Sequence, residues 1–436
     1  MTTSRAALAA TLIVGAGLHP VPASAQSAFE SLRAQQRSRQ QQQQQQQQPE
    51  QQQQQQQTPT IAQISREENA AIQPLFQAVQ AHDWAAANAA LPAAQAGAQS
   101  PAARYIVGQL ILEIGRGTQD QQVQSRAVDA MLASGGAPAT IVPQLLAAQV
   151  GFAVQAENYA AAEAPLTRLT ELVPNDVERL TQLAALKIQL NKRPEAFALY
   201  RRALQLSEAN GQHAPETLYR QALALAYEGR MVAPALELSR TLVTAYPTAA
   251  NWRTALGVYR DLAGQSGGAD LDIGRLMRAA GALTSERDYY EYAQAANRAG
   301  LPGEVKAVVD EGLGRNVFQA SAADARAMLT SATGQIAEDR ASLPRLRTQA
   351  LASADGRIAR RTGDALFGYG QYAEAAELYR TALQKGGEDP GFVNVRLGTA
   401  LAMAGQRAEA EAAFRAVTSG DRAELARFWL LWLSSR

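Results

Sequence analysis

Side chains suited to acid–base, nucleophilic or metal chemistry are few in this sequence, and their spacing does not bring them together. The three histidines are His19, His82 and His213. None has a partner at the spacing that lets one helix present two ligands to a zinc ion. There is no cysteine, which removes thiolate ligands, thiol nucleophiles and disulfides. The stretch GQSGG at 264–268 fits G-x-S-x-G but has no strand before it to make a nucleophile elbow, and no phosphate-cradling G-x-x-x-x-G-K loop or G-x-G-x-x-G turn occurs. The glycine-rich GQSGGAD at 264–270 has no strand before it and no lysine within it, so it reads as a connection between helices. The pattern predicts no catalytic residues, no cofactor and no metal.

Two clusters stand out. RDYYEY at 287–292 gathers tyrosines that suit either an aromatic ligand or stacking on one another. The stretch 340–361 holds Arg340, Arg345, Arg347, Arg357, Arg360 and Arg361 with few acids. They suit a carboxylate-bearing partner or a solvated helix face.

The elements that position these groups follow from composition. Of 436 residues, 47% are apolar but only 6% aromatic, so the core is built mainly from Ala and Leu, which favours close-packed helices. Net charge is +1, without the basic footprint that phosphate neutralisation requires, so no nucleic-acid partner is expected.

Residues 1–25 carry Arg5, an apolar stretch and Ala23-Ser24-Ala25, the tripartite pattern of a secretory signal peptide with cleavage expected before Gln26. The expected location is a bacterial periplasm. The apolar stretch is short for roughly 30 Å of hydrocarbon, and no other segment is long enough, so no stable membrane span is expected after cleavage. Residues 26–66 contain Gln40–Gln48 and Gln51–Gln57, too polar to offset the entropy of ordering, and read as a disordered tether.

From Glu67 onward, short segments of helical periodicity alternate with Gly, Pro, Asn or Asp. Aligned with one another, HDWAAANAALPAA (82–94), ENYAAAEAPLTRL (157–169) and GQYAEAAELYRTAL (370–383) share one register. An aromatic (Trp84, Tyr159, Tyr372) precedes an alanine (Ala87, Ala162, Ala375) by three, and a larger residue (Leu91, Leu166, Tyr379) follows four later. Ala162 to Ala196 is 34 positions and Ala375 to Ala410 is 35. On a helix these spacings share a face. The alanine admits a neighbouring backbone, and the aromatic fills the wedge beyond it. Ala235 to Ala375 is 140 positions, four steps of 35, into which further pairs can be placed.

These residues resemble the tetratricopeptide repeat, a helix–turn–helix unit of 34 residues. Leu397-Gly398, Gly405, Ala410 and Phe414 match its pattern, as do Gly363, Gly370, Ala375, Tyr379 and Ala382. Pro174 and Pro247 match its terminal proline, and NWRTALGVY (251–259) the start of a first helix. Pro92 and Pro165 depart from it, falling inside second helices that should bend or begin late.

The resemblance implies an all-α fold, a right-handed α-solenoid over 67–420 of about ten helix pairs. The pattern is densest at 140–247 and 356–419. A C-terminal capping helix at 421–436 opens with Asp421 as N-cap. Its run Phe428, Trp429, Leu430, Leu431, Trp432 and Leu433 suits a helix laid across the last repeat or a docking segment.

In this family, first-helix positions line a concave groove. Counted back from Ala375, those positions are Arg357, Arg360, Asp364 and Phe367, a candidate peptide-binding set. The resemblance further implies a non-enzymatic scaffold or adaptor for a protein or peptide partner in cell-envelope assembly. Its alternatives are an accessory subunit of exopolysaccharide or cellulose export and, less in keeping with the missing carboxylate pair, a cell-wall hydrolase.

Overall fold

The computed structural model describes residues 64–209, 211–262, 269–319, 322–420 and 422–436. The signal peptide, nearly all of the glutamine-rich tether, the Asp421 cap and most of the 264–270 loop lie outside the described residues. Within them are 20 α-helices and no strand, as the periodicity requires. They divide into two compact units, up to Asn210 and from Gly211.

The first unit packs helices in consecutive pairs: α1 (Arg66–Gln80) with α2 (Trp84–Gly97), α3 (Pro101–Gly117) with α4 (Gln121–Ala133), α5 (Val142–Gln155) with α6 (Tyr159–Leu172), and α7 (Val177–Gln189) with α8 (Arg193–Ala209). Each pair is joined by the same turn. One residue takes positive φ, at His82 (55°), Gln119 (58°), Glu157 (56°) and Asn191 (58°). The next residue's N–H then reaches back over the helix end, as in Asp83 N to Ala78 O (3.0 Å) and Lys192 N to Lys187 O (2.8 Å). This is the left-handed C-terminal cap that satisfies otherwise orphaned carbonyls. His82 is therefore a turn residue, its ring edge-on to Trp84 at 5.4 Å.

The alanine of the packing register is fully buried at Ala87, Ala162 and Ala196. Helices α2 and α6 continue past Pro92 and Pro165. They neither begin late nor stop, so the register survives the lost backbone bond.

The start of α1 is tied to the α2–α3 connection by one carboxylate. Glu68 accepts N–H bonds from Ser65 (3.1 Å), Gln99 (3.1 Å) and Ser100 (2.6 Å). These bonds, Ser100's above all, hold its pKa down to about 2. A depressed carboxylate pKa stabilises the fold above the ordinary value and loses that contribution as pH falls through the folded one. Glu68→Gln is therefore expected to weaken the first unit at pH 7. The gap to wild type should close between about pH 4.5 and pH 2, read from urea midpoints by Trp84 fluorescence. A gap independent of pH would oppose this assignment.

The second unit begins with α9 (Glu216–Glu228), α10 (Val232–Ala245), α11 (Ala249–Leu262) and α12 (Ala269–Ala279), and continues with α13 (Glu286–Arg298) and α14 (Pro302–Gly314). After α15 (Ala322–Ala352) come α16 (Arg357–Gly368), α17 (Tyr372–Lys385), α18 (Pro390–Met403), α19 (Arg407–Arg415) and α20 (Ala423–Ser434). One apolar core runs from Leu236 to Leu433. Helix α15, at 31 residues, stands where the 35-residue step calls for a helix pair, because 322–352 lacks a turn signal strong enough to break it.

Glycines on one helix seat aromatics from the next. A Cβ on Gly274 would meet the Tyr292 ring at 2.5 Å, one on Gly363 the Tyr379 ring at 2.9 Å, and one on Gly398 the Phe414 ring at 2.6 Å. The Leu397-Gly398 pair of the sequence is thus a socket for the buried Phe414, and Gly363 is one for the fully buried Tyr379. Gly398→Ala overfills the Phe414 socket and is expected to cost about 1–3 kcal/mol, measured as a lowered urea midpoint of the second unit. An unchanged midpoint would sink the socket reading.

Helix α20 does more than cover the last pair. Trp429 stacks on Phe414 (5.5 Å, 8°), while Phe428 packs against Trp252 (6.2 Å) and Tyr259 (6.1 Å) of α11. Glu424 pairs with Arg240 of α10, and Trp432 Nε1 donates to Ala279 O at the end of α12 (3.1 Å). The aromatic face of α20 is occupied within the unit. Among the described residues, no helix is long and apolar enough to cross a membrane.

Candidate functional site

Arg357, Arg360, Asp364 and Phe367 fall on one face of α16, three or four residues apart along it. The structure brings three of them together and leaves one aside. Arg357 is exposed and bonds to Asp355, through its N–H (3.0 Å) and its Nη2 (2.7 Å). Arg360 donates to Asp364 Oδ2 (2.9 Å), lies 3.3 Å from Glu388 Oε1 and sits over the Phe392 ring at 5.4 Å. Asp364 and Phe367 are buried, 4% and 8% exposed.

Asp364 belongs to an ion network that sequence reasoning missed. Its hub is Arg275 of α12, which grips Glu304 of α14 with two bonds (2.8 and 2.7 Å). Arg275 Nη1 lies 3.8 Å from both Asp272 and Asp364. Arg396 of α18 closes the circuit, donating to Asp272 Oδ1 (3.2 Å) and to Asp364 Oδ2. Arg422 adds a fourth cation, 3.6 Å from Asp272 Oδ2. Four arginines (275, 360, 396, 422) thus face four acids (Asp272, Glu304, Asp364, Glu388), so the charges balance.

Aromatic rings complete the enclosure. Arg275 lies over Phe367 and Arg396 over Phe392, each at 4.2 Å from the ring centre. Tyr379 donates to Asp364 Oδ1 (2.7 Å) and Tyr292 to Glu304 Oε1 (2.6 Å). Burial, with Asp364 beside one and Glu304 beside the other, pushes both phenols well above their ordinary range. They remain protonated donors. Burial works against the charge of Arg275, but Glu304 outweighs it and holds the guanidinium above its ordinary value. Arg396 is raised likewise, by Asp364 and Asp272 against the same opposition. The arrangement ties α12, α14, α16 and α18 together by charge.

In the sequence the arginines only stand near the socket glycines, Arg275 after Gly274 and Arg396 two before Gly398, and that spacing does not announce their partners. The tyrosines of RDYYEY divide similarly: Tyr292 serves Glu304, and Tyr289 donates to Glu311 (2.9 Å) and meets Phe318 edge-on. Both are buried within the fold. Of the arginines on α15, Arg340 lies over the Tyr369 ring at 4.6 Å and Arg347 pairs with Glu374 at 2.7 Å. Among the described residues, no group of His, Asp or Glu stands where it could hold a metal ion.

The sockets, left-handed turns and paired helices define a class of stacked helix–turn–helix proteins. Residues 366–431, from the end of α16 through α20, match the family model described as tetratricopeptide repeat. That match and the shared register identify tetratricopeptide repeats at 366–431. No curated protein matches the chain.

Among solved structures it is similar to a tetratricopeptide repeat protein from Parabacteroides merdae, at 17% identity over 67% of this chain and 99% of that one, with a TM-score of 0.26. It is also similar to the tetratricopeptide repeat domain of P58(IPK), at 14% identity over 78% and 98%, TM-score 0.21. Similarity to a chain of the APC/C hetero-tetramer Cut9-Hcn1 is 11% identity over 84% and 68%, TM-score 0.21.

Proposed function

We propose that the chain is an exported scaffold or adaptor that holds a protein or peptide partner on its helical surfaces, in the periplasm and in the service of cell-envelope assembly. The observation that carries this reading is how the second unit uses its polar groups. Its buried acids, arginines and tyrosines are committed to one another, and the repeats present helix faces to solvent. Such a molecule recognises by surface, with a few anchors supplying most of the affinity. The leader-like residues 1–25 support export.

Two measurements test the proposal. The periplasmic fraction should contain a chain whose intact mass begins at Gln26; recovery of full-length protein in the cytoplasm alone would overturn the location. In-cell crosslinking followed by mass spectrometry should return envelope proteins with defined contact residues on the chain. Crosslinks confined to the chain itself would overturn the scaffold role.

A further inference from the structure

Helix α15 packs by one side only. Ala325, Ala332, Leu343 and Ala350 belong to the unit's core, and the other side faces solvent. Gly334, Ala337, Glu338, Ala341, Arg345 and Thr348 follow one another along that outer side at helical spacing, and all six are exposed.

Three charges near the middle of the helix are answered inside the chain. Asp339 accepts from Tyr369, Arg340 lies over the Tyr369 ring, and Arg347 pairs with Glu374. The two on the outer side are not. Among the described residues Glu338 has no ion pair or hydrogen bond, and Arg345 reaches only Gln349 Oε1 of its own helix, at 3.4 Å.

The spacing of this pair says what can answer it. Glu338 and Arg345 are seven residues apart, two helical turns, so they stand on one edge of the outer face with Ala341 and Ser342 midway between them. A second copy of α15 laid antiparallel, with a two-fold axis at that midpoint, brings its Arg345 level with Glu338 and its Glu338 level with Arg345. Each pair then lies about 5 Å from the axis along the helix. A parallel copy would set Glu338 against Glu338, which like charges oppose.

Nothing bulky stands in the way of the copy. Ala341 lies at the midpoint, with Ala337 and Thr348 on either side. A Cβ on Gly334 would meet nothing within 4 Å, so no contact inside the chain calls for a glycine there, although glycine weakens a helix relative to alanine. The bare backbone admits a second helix closely. Leu351, 61% exposed, stands on the opposite edge, level with Thr330 and Thr333 of the copy, which would cover it.

We infer that the chain self-associates through the outer face of α15, as an antiparallel two-fold dimer closed by reciprocal Glu338–Arg345 pairs. The inference adds to the scaffold reading and does not depend on it. One helix face is smaller than the roughly 800 Å² per partner of a standard interface, so the expected dissociation constant is on the order of 10–100 µM.

Sedimentation equilibrium of the full chain, from about 1 to about 300 µM, tests the dimer. The weight-average mass should climb from one chain towards two; a mass that stays at one chain throughout would overturn the inference. Glu338→Arg and Arg345→Glu, each alone, set like charges together twice and should weaken association at least about tenfold. Their urea midpoints should match wild type, since both side chains are exposed, so the loss is not unfolding. Mixed in equal amounts, the two variants should associate again, because each supplies the charge that the other lacks. Undiminished association of either single variant, or a mixture no stronger than its components, would overturn the inference even where the wild-type chain dimerises. In-cell crosslinks found only between copies of α15 would support the dimer while the scaffold reading failed.

Discussion

Replacing Arg275 by alanine is expected to destabilise the second unit by about 3–5 kcal/mol, the usual cost of breaking a buried ion pair from one side. The loss exceeds the worth of the pair itself. Without the guanidinium, Glu304 and Asp272, each 2% exposed, retain charge in a region from which water is excluded. Arg275→Met with Glu304→Leu should recover much of the loss, because removing both partners leaves no charge stranded. Urea unfolding followed by Trp252, Trp429 and Trp432 fluorescence reads the second unit, while Trp84 reports the first. A single variant within about 0.5 kcal/mol of wild type would show that solvent reaches the network.

Truncating Trp429 to alanine should cost about 3–5 kcal/mol, the range for a fully buried large aromatic. Trp429 is 0% exposed and sandwiched by Phe414 and Trp432. The effect should appear in hydrogen exchange far from the substitution. Amides of α10 and α11 should lose protection together with those of α18 and α19, since α20 packs on both groups. Protection lost only in α19 and α20 would mean that α20 is a passive cover.

The packing units were legible wherever the local chemistry repeated itself. Ala375, Tyr379, Gly398 and Phe414 announce their helices because a small residue and a ring must recur at fixed spacing for two helices to interlock. The turns were legible at Gly370 and Gly405, where positive φ (76° and 77°) falls on the residue that tolerates it best. They were obscure at His82, Gln119, Glu157 and Arg230, where the same backbone conformation (53–58°) is imposed on side chains that do not advertise it. There the motif had to be found by alignment of its alanines. The expectation of a late start at the prolines of α2 and α6 was over-read, since both helices begin well before them.

The candidate site was harder to read, for a physical reason. Register places Arg360, Asp364 and Phe367 on one face of α16, but it is blind to what faces them. Asp272 and Arg396 are 124 residues apart, and no local pattern in a sequence reports a charge that distant. The long α15 escaped for the opposite reason. It runs through Gly334 and Pro344, the signals a local reading takes for a turn, because neither is joined by the positive-φ residue that ends its neighbours.

The tie between α20 and α10–α12 alters how the second unit comes apart. A linear stack of repeats frays from an end, each unit melting against a single neighbour, and its folding can start anywhere. Here the early and late helices share a core and an ion network. Loosening either end opens a loop of more than a hundred residues, and reforming it carries the entropy of closing that loop. The unit should therefore behave as one cooperative block with high contact order, slow to assemble and protected from piecemeal attack at its ends.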